Sequence, residues 1–354
     1  MRRLVTLAAV IASLCCTSAA AAAGSPRVAI FFYPWYSTAA HDGGDAHWNQ
    51  GGHRPPGDVA SSFLPLRGAY SSADSAVLHD QLAEIAGTGA GVVVSSWWGS
   101  GSTEDVRLPA IIDEARSTGL RVAVQVEPYA GRTPASVAAD IERLRVLGVT
   151  DFYVYRAEHS PAADWAQAIG AKTGVRLFAH TSLVGWAASA HFQGIYTYDV
   201  LINSGNTFAR LCRQAHRVGL LCAPSVGPGF DATAATPELR TRPRHDGATY
   251  DELWQAVLAA RPDLVTITSY NEWHEGSQIE PAAPSPRPGR YQDYEGAWGL
   301  HGARAATAYL ARTALWVQRF DPAVAAAQPV AVARILDAWP DPLSPPGRRT
   351  FRTR

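Results

Sequence analysis

Residues 266–276, Thr-Ile-Thr-Ser-Tyr-Asn-Glu-Trp-His-Glu-Gly, put two carboxyls (Glu272 and Glu275), the His274 imidazole, the Asn271 amide and the Trp273 indole directly after an apolar, β-branched run. The two acids lie three residues apart, within one turn, so both can reach one bond. No Lys or Arg stands beside them to neutralise them as a structural ion pair. Cleavage of a glycosidic bond asks for such a pair. One carboxyl protonates the departing oxygen and the other generates or acts as the nucleophile, in environments that hold their pKa values apart. A solvated surface is the commoner fate of two Glu residues, and the strand end and the ring side chains between them argue against it.

Other apolar runs end in rings. Tyr33, Trp35 and Tyr36 close the first, Trp97 and Trp98 the second, Tyr129 follows Glu127 after the third, and Tyr196 and Tyr198 end the sixth. Sugars present flat C–H faces and hydroxyl edges, so a carbohydrate site pairs aromatic platforms with carboxylates and amides. Any one of these rings could be core packing. Their recurrence at strand ends favours one shared rim.

The elements that must carry these groups alternate along the chain. Apolar runs at 28–33, 91–96, 121–126, 151–155, 175–180, 194–198, 220–225 and 264–268 predict eight strands. Helix-period segments lie between and after them, at 74–87, 106–118, 134–147, 162–172, 183–190, 207–217, 249–260 and 302–320. Eight strands, each followed by a helix, predict an α/β fold, a (β/α)8 TIM barrel forming a single catalytic domain over 24–320. The segment from 34 to about 73 is rich in Gly, Pro, His and Trp without periodicity, as functional loops are.

Residues 1–23 open with Arg2-Arg3, continue through the apolar run 4–14 and close in small residues, which reads as a secretory signal peptide and predicts export. Cys15 follows Leu14 rather than a small residue, which argues against a lipid anchor. The apolar core of this leader is too short to span a bilayer, and no later run approaches eighteen consecutive apolar residues. Taking Arg2 and Arg3 from 31 basic residues leaves 29 against 31 acidic ones. That balance offers no footprint for nucleic acid or an acidic membrane. Cys212 and Cys222 remain after cleavage, as a disulfide or as two buried thiols. A Pro- and Ala-rich tail is expected over 321–354. His41, His47 and His53 recur every six residues beside Asp42 and Asp45, a spacing that matches no standard metal motif. No Gly-x-Ser-x-Gly elbow is present.

With these residues laid out, the chain resembles glycoside hydrolase family 99, the endo-α-1,2-mannosidases and endo-α-1,2-mannanases. The resemblance rests on Phe32-Tyr33-Pro34-Trp35-Tyr36, His47-Trp48, Gly68-Ala69-Tyr70-Ser71-Ser72 with Asp74, Ser96-Trp97-Trp98 and Glu127-Pro128-Tyr129 with Gly131-Arg132. It continues through Gly194-Ile195-Tyr196-Thr197-Tyr198, Pro224-Ser225-Val226-Gly227-Pro228-Gly229, and the segment from Ile267 to Gly276 with Gln278-Ile279-Glu280-Pro281. It implies retaining cleavage inside α-mannoside chains through a 1,2-anhydro sugar, with no metal or organic cofactor. Glu272 would take the 2-hydroxyl proton, and Glu275 would be the acid and then the base. The remaining substrate contacts would come from Tyr33, Trp35, Tyr36, His47, Trp48, Trp97, Trp98, Glu127, Tyr129, Tyr196, Tyr198, Asn271, Trp273 and His274. Trp98, where members carry Trp or Tyr, resembles the bacterial mannanase-like form and implies α-mannan or a mannose-containing oligosaccharide as substrate; a monomer is expected. The chain departs from the family at 230–237, which lacks an Arg found in many members. Arg242, Arg244, Gly247 and Tyr250 match the later part of that loop. The alternatives are a glycosidase of another linkage specificity on the same barrel, or a carbohydrate-binding protein that has lost turnover.

Overall fold

A computed structural model describes residues 24–170, 172–285 and 289–327. The expected signal peptide, and the expected tail from 328 onward, lie outside the described residues. In chain order the elements begin with β1 (Ser25–Phe32), α1 (Ala39–Asp42), α2 (Ser75–Gly87), β2 (Ala90–Trp97), α3 (Thr103–Ser117), β3 (Arg121–Val126) and α4 (Pro134–Val146). The middle of the chain forms β4 (Asp151–Val154), α5 (Ala162–Ile169), β5 (Arg176–His180), α6 (Val184–Ser189), β6 (Gly194–Tyr196) and α7 (Phe208–Arg217). Then follow β7 (Leu221–Ala223), β8 (Ser225–Val226), β9 (Phe230–Asp231), β10 (Thr241–Arg242), α8 (Ala248–Ala260), β11 (Val265–Ile267), α9 (Ala303–Ala306), α10 (Ala308–Phe320) and α11 (Pro322–Ala327).

Nine parallel segments pair in the order β7-β6-β5-β4-β3-β2-β1-β11-β8. β7 and β8 are one strand interrupted at Pro224, which has no N–H to donate. The first half of that strand pairs with β6 and the second with β11, and the Thr266 N–H reaches the Pro224 carbonyl at 3.0 Å. Eight strand positions therefore close a TIM barrel, as the alternation of strands and helices predicts. The interior is filled by rings rather than left as a pore. Phe31 packs edge-on to Tyr153 at 5.7 Å, Tyr153 stacks on Phe178 at 4.8 Å, and Tyr196 meets Phe31 at 5.8 Å.

The helix starts follow their caps. Asp74 accepts the Ala76 N–H at 2.9 Å at the head of α2, and Ser102 accepts from Asp105 at the head of α3, so α3 begins before the 106 read from periodicity. Predicted helix 302–320 breaks at Thr307 into α9 and α10, and the start of the expected tail is helical as α11. The antiparallel pair β9–β10 after the seventh strand was not foreseen. The Cys212–Cys222 question is resolved as a disulfide that ties α7 to β7, with Cα atoms 5.2 Å apart. Among the described residues no helix is long and apolar enough to cross a membrane.

Candidate active site

Beyond β11 the chain turns back on itself. The Ser269 N–H donates to the Ser277 carbonyl at 2.9 Å and the Glu280 N–H to the Tyr270 carbonyl at 2.8 Å, which makes 269–280 a closed loop at the C-terminal rim. Within it, Trp273–Glu275 forms one 3-10 turn that ends at Gly276 with φ 61°. A Cβ at Gly276 would also stand 2.9 Å from the Asp231 carbonyl oxygen, so the turn needs glycine for both reasons. Tyr36 clamps this turn. Its hydroxyl donates to the Asn271 carbonyl at 2.9 Å and accepts the Trp273 N–H at 3.0 Å. The Ser61 hydroxyl holds the Trp273 carbonyl at 2.7 Å, and the Glu272 N–H reaches Ser269 Oγ at 2.8 Å.

So held, Glu272 is 5% exposed and Glu275 half-buried. The Tyr198 hydroxyl donates to the Glu272 carboxylate in a short bond, and the Tyr33 and Tyr198 hydroxyls are themselves hydrogen-bonded. Burial, and then the charge of Glu275, hold the Glu272 carboxyl well above its usual range, against the Tyr198 hydrogen bond. Burial and then Asp199 push Glu275 up to about 7, against its hydrogen bond with Glu272. Each of the two acids feels the other, and they titrate as a pair. A third carboxyl, Glu127, accepts from Ser96 Oγ at 3.0 Å and is pushed up to about 8, by burial first. His274 comes within 3.9 Å of Glu272, but burial and then His47 lower its pKa to about 3, so the contact is not an ion pair at neutral pH.

The strand-end rings divide into two groups. Trp35 lies between Tyr33 at 4.5 Å and His47 at 4.4 Å, with His274 at 5.0 Å, and forms a wall beside Glu272. Two buried polar atoms of this cluster, Trp35 Nε1 and His274 Nδ1, have no protein partner, and neither does the hydroxyl of Tyr196, whose ring packs against Tyr153 and His180. Trp98, directly after β2, is 38% exposed.

The second group turns away from the carboxyls. Trp97 donates to Asp105 of α3 at 2.8 Å, and Tyr129 donates to Asp140 of α4 at 2.5 Å, so both face the helix layer. Trp48 is fully buried, stacks on Tyr36 at 4.0 Å and donates to the Tyr70 carbonyl. The Asn271 amide grips the Tyr33 backbone at 2.7 and 3.0 Å, and the Trp273 indole donates to Glu280 at 2.7 Å. For Trp48, Trp97, Tyr129, Asn271, Trp273 and Tyr36 the polar groups are spent inside the fold. Period-2 alternation explains Trp97 against Trp98, two neighbours on opposite faces.

Tyr155 and His180 escaped the residue-based reading although both end expected strands. They stack at 4.6 Å, and Tyr155 meets Tyr198 edge-on at 5.5 Å. Arg242 and Arg244 go to the scaffold. Arg244 reaches the Gly276 and Gln278 carbonyls at 2.9 and 2.8 Å, and Arg242 reaches those of Val200 and Asn203. The three loop histidines serve separate ends: His47 on Trp35, His53 on Asp58 at 2.6 Å, His41 beside Asp42.

Residues 49–322 match glycosyl hydrolase family 99. The chain is similar to a glycoprotein endo-alpha-1,2-mannosidase-like protein of Danio rerio, 31% identical over 83% of this chain and 78% of that one. It is 30% identical to the Homo sapiens protein of the same description, over 82% and 75% of the two chains. In three dimensions it is similar to the GH99 endo-alpha-mannosidase from Bacteroides thetaiotaomicron, with TM-score 0.75, 27% identity, and coverage of 84% of this chain and 98% of that one. The chain therefore belongs to glycosyl hydrolase family 99 and is a glycoside hydrolase.

Proposed function

We propose that this enzyme cleaves α-1,2-mannosidic linkages inside α-mannan or mannose-rich glycans, with retention of configuration, through a 1,2-anhydro sugar. The observation that carries the reading is the pair Glu272 and Glu275 on one turn with the Tyr198 hydroxyl on Glu272 alone: that hydrogen bond favours the ionised form a base needs, while burial pushes Glu275 up to about 7 so that it can carry a proton. In an α-mannoside the 2-hydroxyl and the leaving oxygen are trans. Glu272 takes the O2 proton, O2 attacks C1 from the face opposite the leaving group, and the C1–O bond breaks as Glu275 protonates the departing oxygen. Glu275, now ionised, takes a proton from water. That water adds to C1, the C1–O2 bond opens, and O2 recovers its proton from Glu272. Two inversions at C1 return the original configuration. Glu127, protonated at neutral pH, donates to a sugar hydroxyl. The unpartnered Trp35 Nε1, Tyr196 hydroxyl and His274 Nδ1 supply further contacts. The raised pair needs no metal or organic cofactor for either step.

Trp98 offers an apolar platform next to the cleaved unit and favours mannose there over glucose. The Cys212–Cys222 bond fits export to an oxidising compartment. Product analysis on α-mannan tests the whole reading. Release of internal α-linked reducing ends is expected, and first-formed β-anomers, or no reducing ends, would refute it. Faster hydrolysis of a glucosyl-α-1,3-mannosyl substrate than of its mannosyl counterpart would sink the assignment of Trp98.

A further inference from the structure

Glu280 takes no part in the steps above, yet it is a carboxylate with no exposed surface. Four donors converge on it. Arg67 Nε at 2.8 Å and Gln81 Nε2 at 2.9 Å reach one oxygen, while the Tyr70 hydroxyl at 2.9 Å and the Trp273 indole at 2.7 Å reach the other. A carboxylate has about four acceptor sites, so this one is filled. Two of the four donors lead to the residues that bracket Glu272. Trp273, the residue after it, is held directly. Asn271, the residue before it, donates to the Tyr70 hydroxyl at 3.2 Å and grips the Tyr33 backbone. Tyr33 in turn bears on the Tyr198 hydroxyl that meets Glu272. The other two donors come from the long first loop and from α2, so the hub joins elements some two hundred residues apart in sequence to the loop after β11.

We propose that Glu280 is a positioning residue for Glu272: by holding Trp273 and, through Tyr70, Asn271, it sets the direction in which the Glu272 carboxylate faces the sugar. The proposal rests on the reading of Glu272 as the base. Glu280→Gln replaces one acceptor oxygen by an NH2 that must face two donors, so the hub cannot close. Trp273→Phe keeps an aromatic ring in place and removes the indole N–H together with the fused pyrrole ring.

The test compares these two variants, their double variant and Asp80→Asn, on an aryl glycoside of mannosyl-α-1,3-mannose. Asp80 is an exposed partner of Arg67 at 3.6 Å, and Arg67 reaches the Glu280 oxygen that Trp273 and Tyr70 do not. Asp80 makes no hydrogen bond or ion pair of its own with residues 271–273. Both single variants should lose roughly 10- to 100-fold in kcat with KM within about threefold, the scale of an ångström-sized misplacement. The double variant should be no worse than the worse single one, because both cut the same connection. Asp80→Asn should retain wild-type turnover. Carboxyl 13C titration of Glu272, assigned with Glu272→Gln, gives a second readout that needs no substrate. Burial raises the Glu272 pKa and the Tyr198 bond lowers it, and a loosened loop changes both, so its midpoint should move in both hub variants and stay in place in Asp80→Asn. Losses confined to KM, multiplying losses in the double variant, or an unmoved Glu272 midpoint would overturn the proposal. A wild-type protein inactive on α-mannoside would refute the functional reading, while the titration would still decide the role of Glu280. If Glu280→Gln fails to fold, Trp273→Phe carries the test alone.

Discussion

Glu127→Gln should stabilise the protein at neutral pH and have little effect near pH 4.5. Glu127 is 4% exposed, its one hydrogen bond from a side chain hydroxyl comes from Ser96, and burial pushes its carboxyl from the usual 4.5 up to about 8. Between those two values the folded protein keeps a proton that the unfolded chain releases. The folded state therefore binds more protons, and stability falls as pH rises from 4.5 toward 8. At pH 7 about 2.5 pH units of that window have been crossed, at about 1.4 kcal/mol each, which amounts to roughly 3 kcal/mol. Gln has the same shape, still accepts from Ser96, and has no proton to lose in either state. The variant should gain on the order of 3 kcal/mol at pH 7, about 6 °C in Tm for a domain of this size, and the gain should vanish at pH 4.5. Urea unfolding of both proteins at several pH values between 4.5 and 8 measures it. A gain of equal size at pH 4.5 and 7 would assign the effect to packing instead. A loss at pH 7 would mean that Glu127 is ionised and held by Arg132, and the reasoning would be wrong.

The acid pair and the disulfide carry four further predictions. Glu275→Gln should suppress turnover of substrates with poor leaving groups by about 10²- to 10⁴-fold while sparing the first step on activated aryl glycosides. Glu272→Gln should impair both, and full activity in that variant would remove Glu272 from the role of base. With Glu275 pushed up to about 7, kcat/KM on an unactivated oligosaccharide should fall as pH rises past 7, because the acid form is lost there. An activated leaving group should relieve that fall, and a basic limb indifferent to the leaving group would contradict the assignment. Replacing both Cys212 and Cys222 by Ser opens a loop of sequence separation 10 and should cost about 3 kcal/mol in urea unfolding with kcat retained.

Much of the barrel can be read from the chain because its strands are buried on both faces. β2 is buried at all eight positions, and such a strand must be a continuous apolar run wherever it occurs. The acid pair is legible for the complementary reason: ionisable groups directly after a buried strand have to emerge at a rim. Short strands blurred the boundaries. β6 stops at Tyr196, and Tyr198 lies beyond it, where the pleat no longer says which way a side chain turns. That is why Tyr198 could be named as a site residue but not as the hydroxyl that meets Glu272.

The division between cleft and scaffold is a tertiary matter. Trp97 and Trp98 are the same residue type at adjacent positions, and only the helix layer, through Asp105, takes the first out of the rim. Glu280 reads in sequence as one more acid after a loop. Its meaning comes from Arg67, Tyr70 and Gln81, about two hundred residues earlier, brought to it by barrel closure. The sequence by itself determined the strand–helix alternation, the eight-strand count and the position of two carboxyls at the last strand end, because burial periodicity is a local property of the chain. Which rings face the carboxyls, how far the carboxyl pKa values rise, and what holds the loop that bears them depend on neighbours distant in sequence, and the tertiary structure alone decided those.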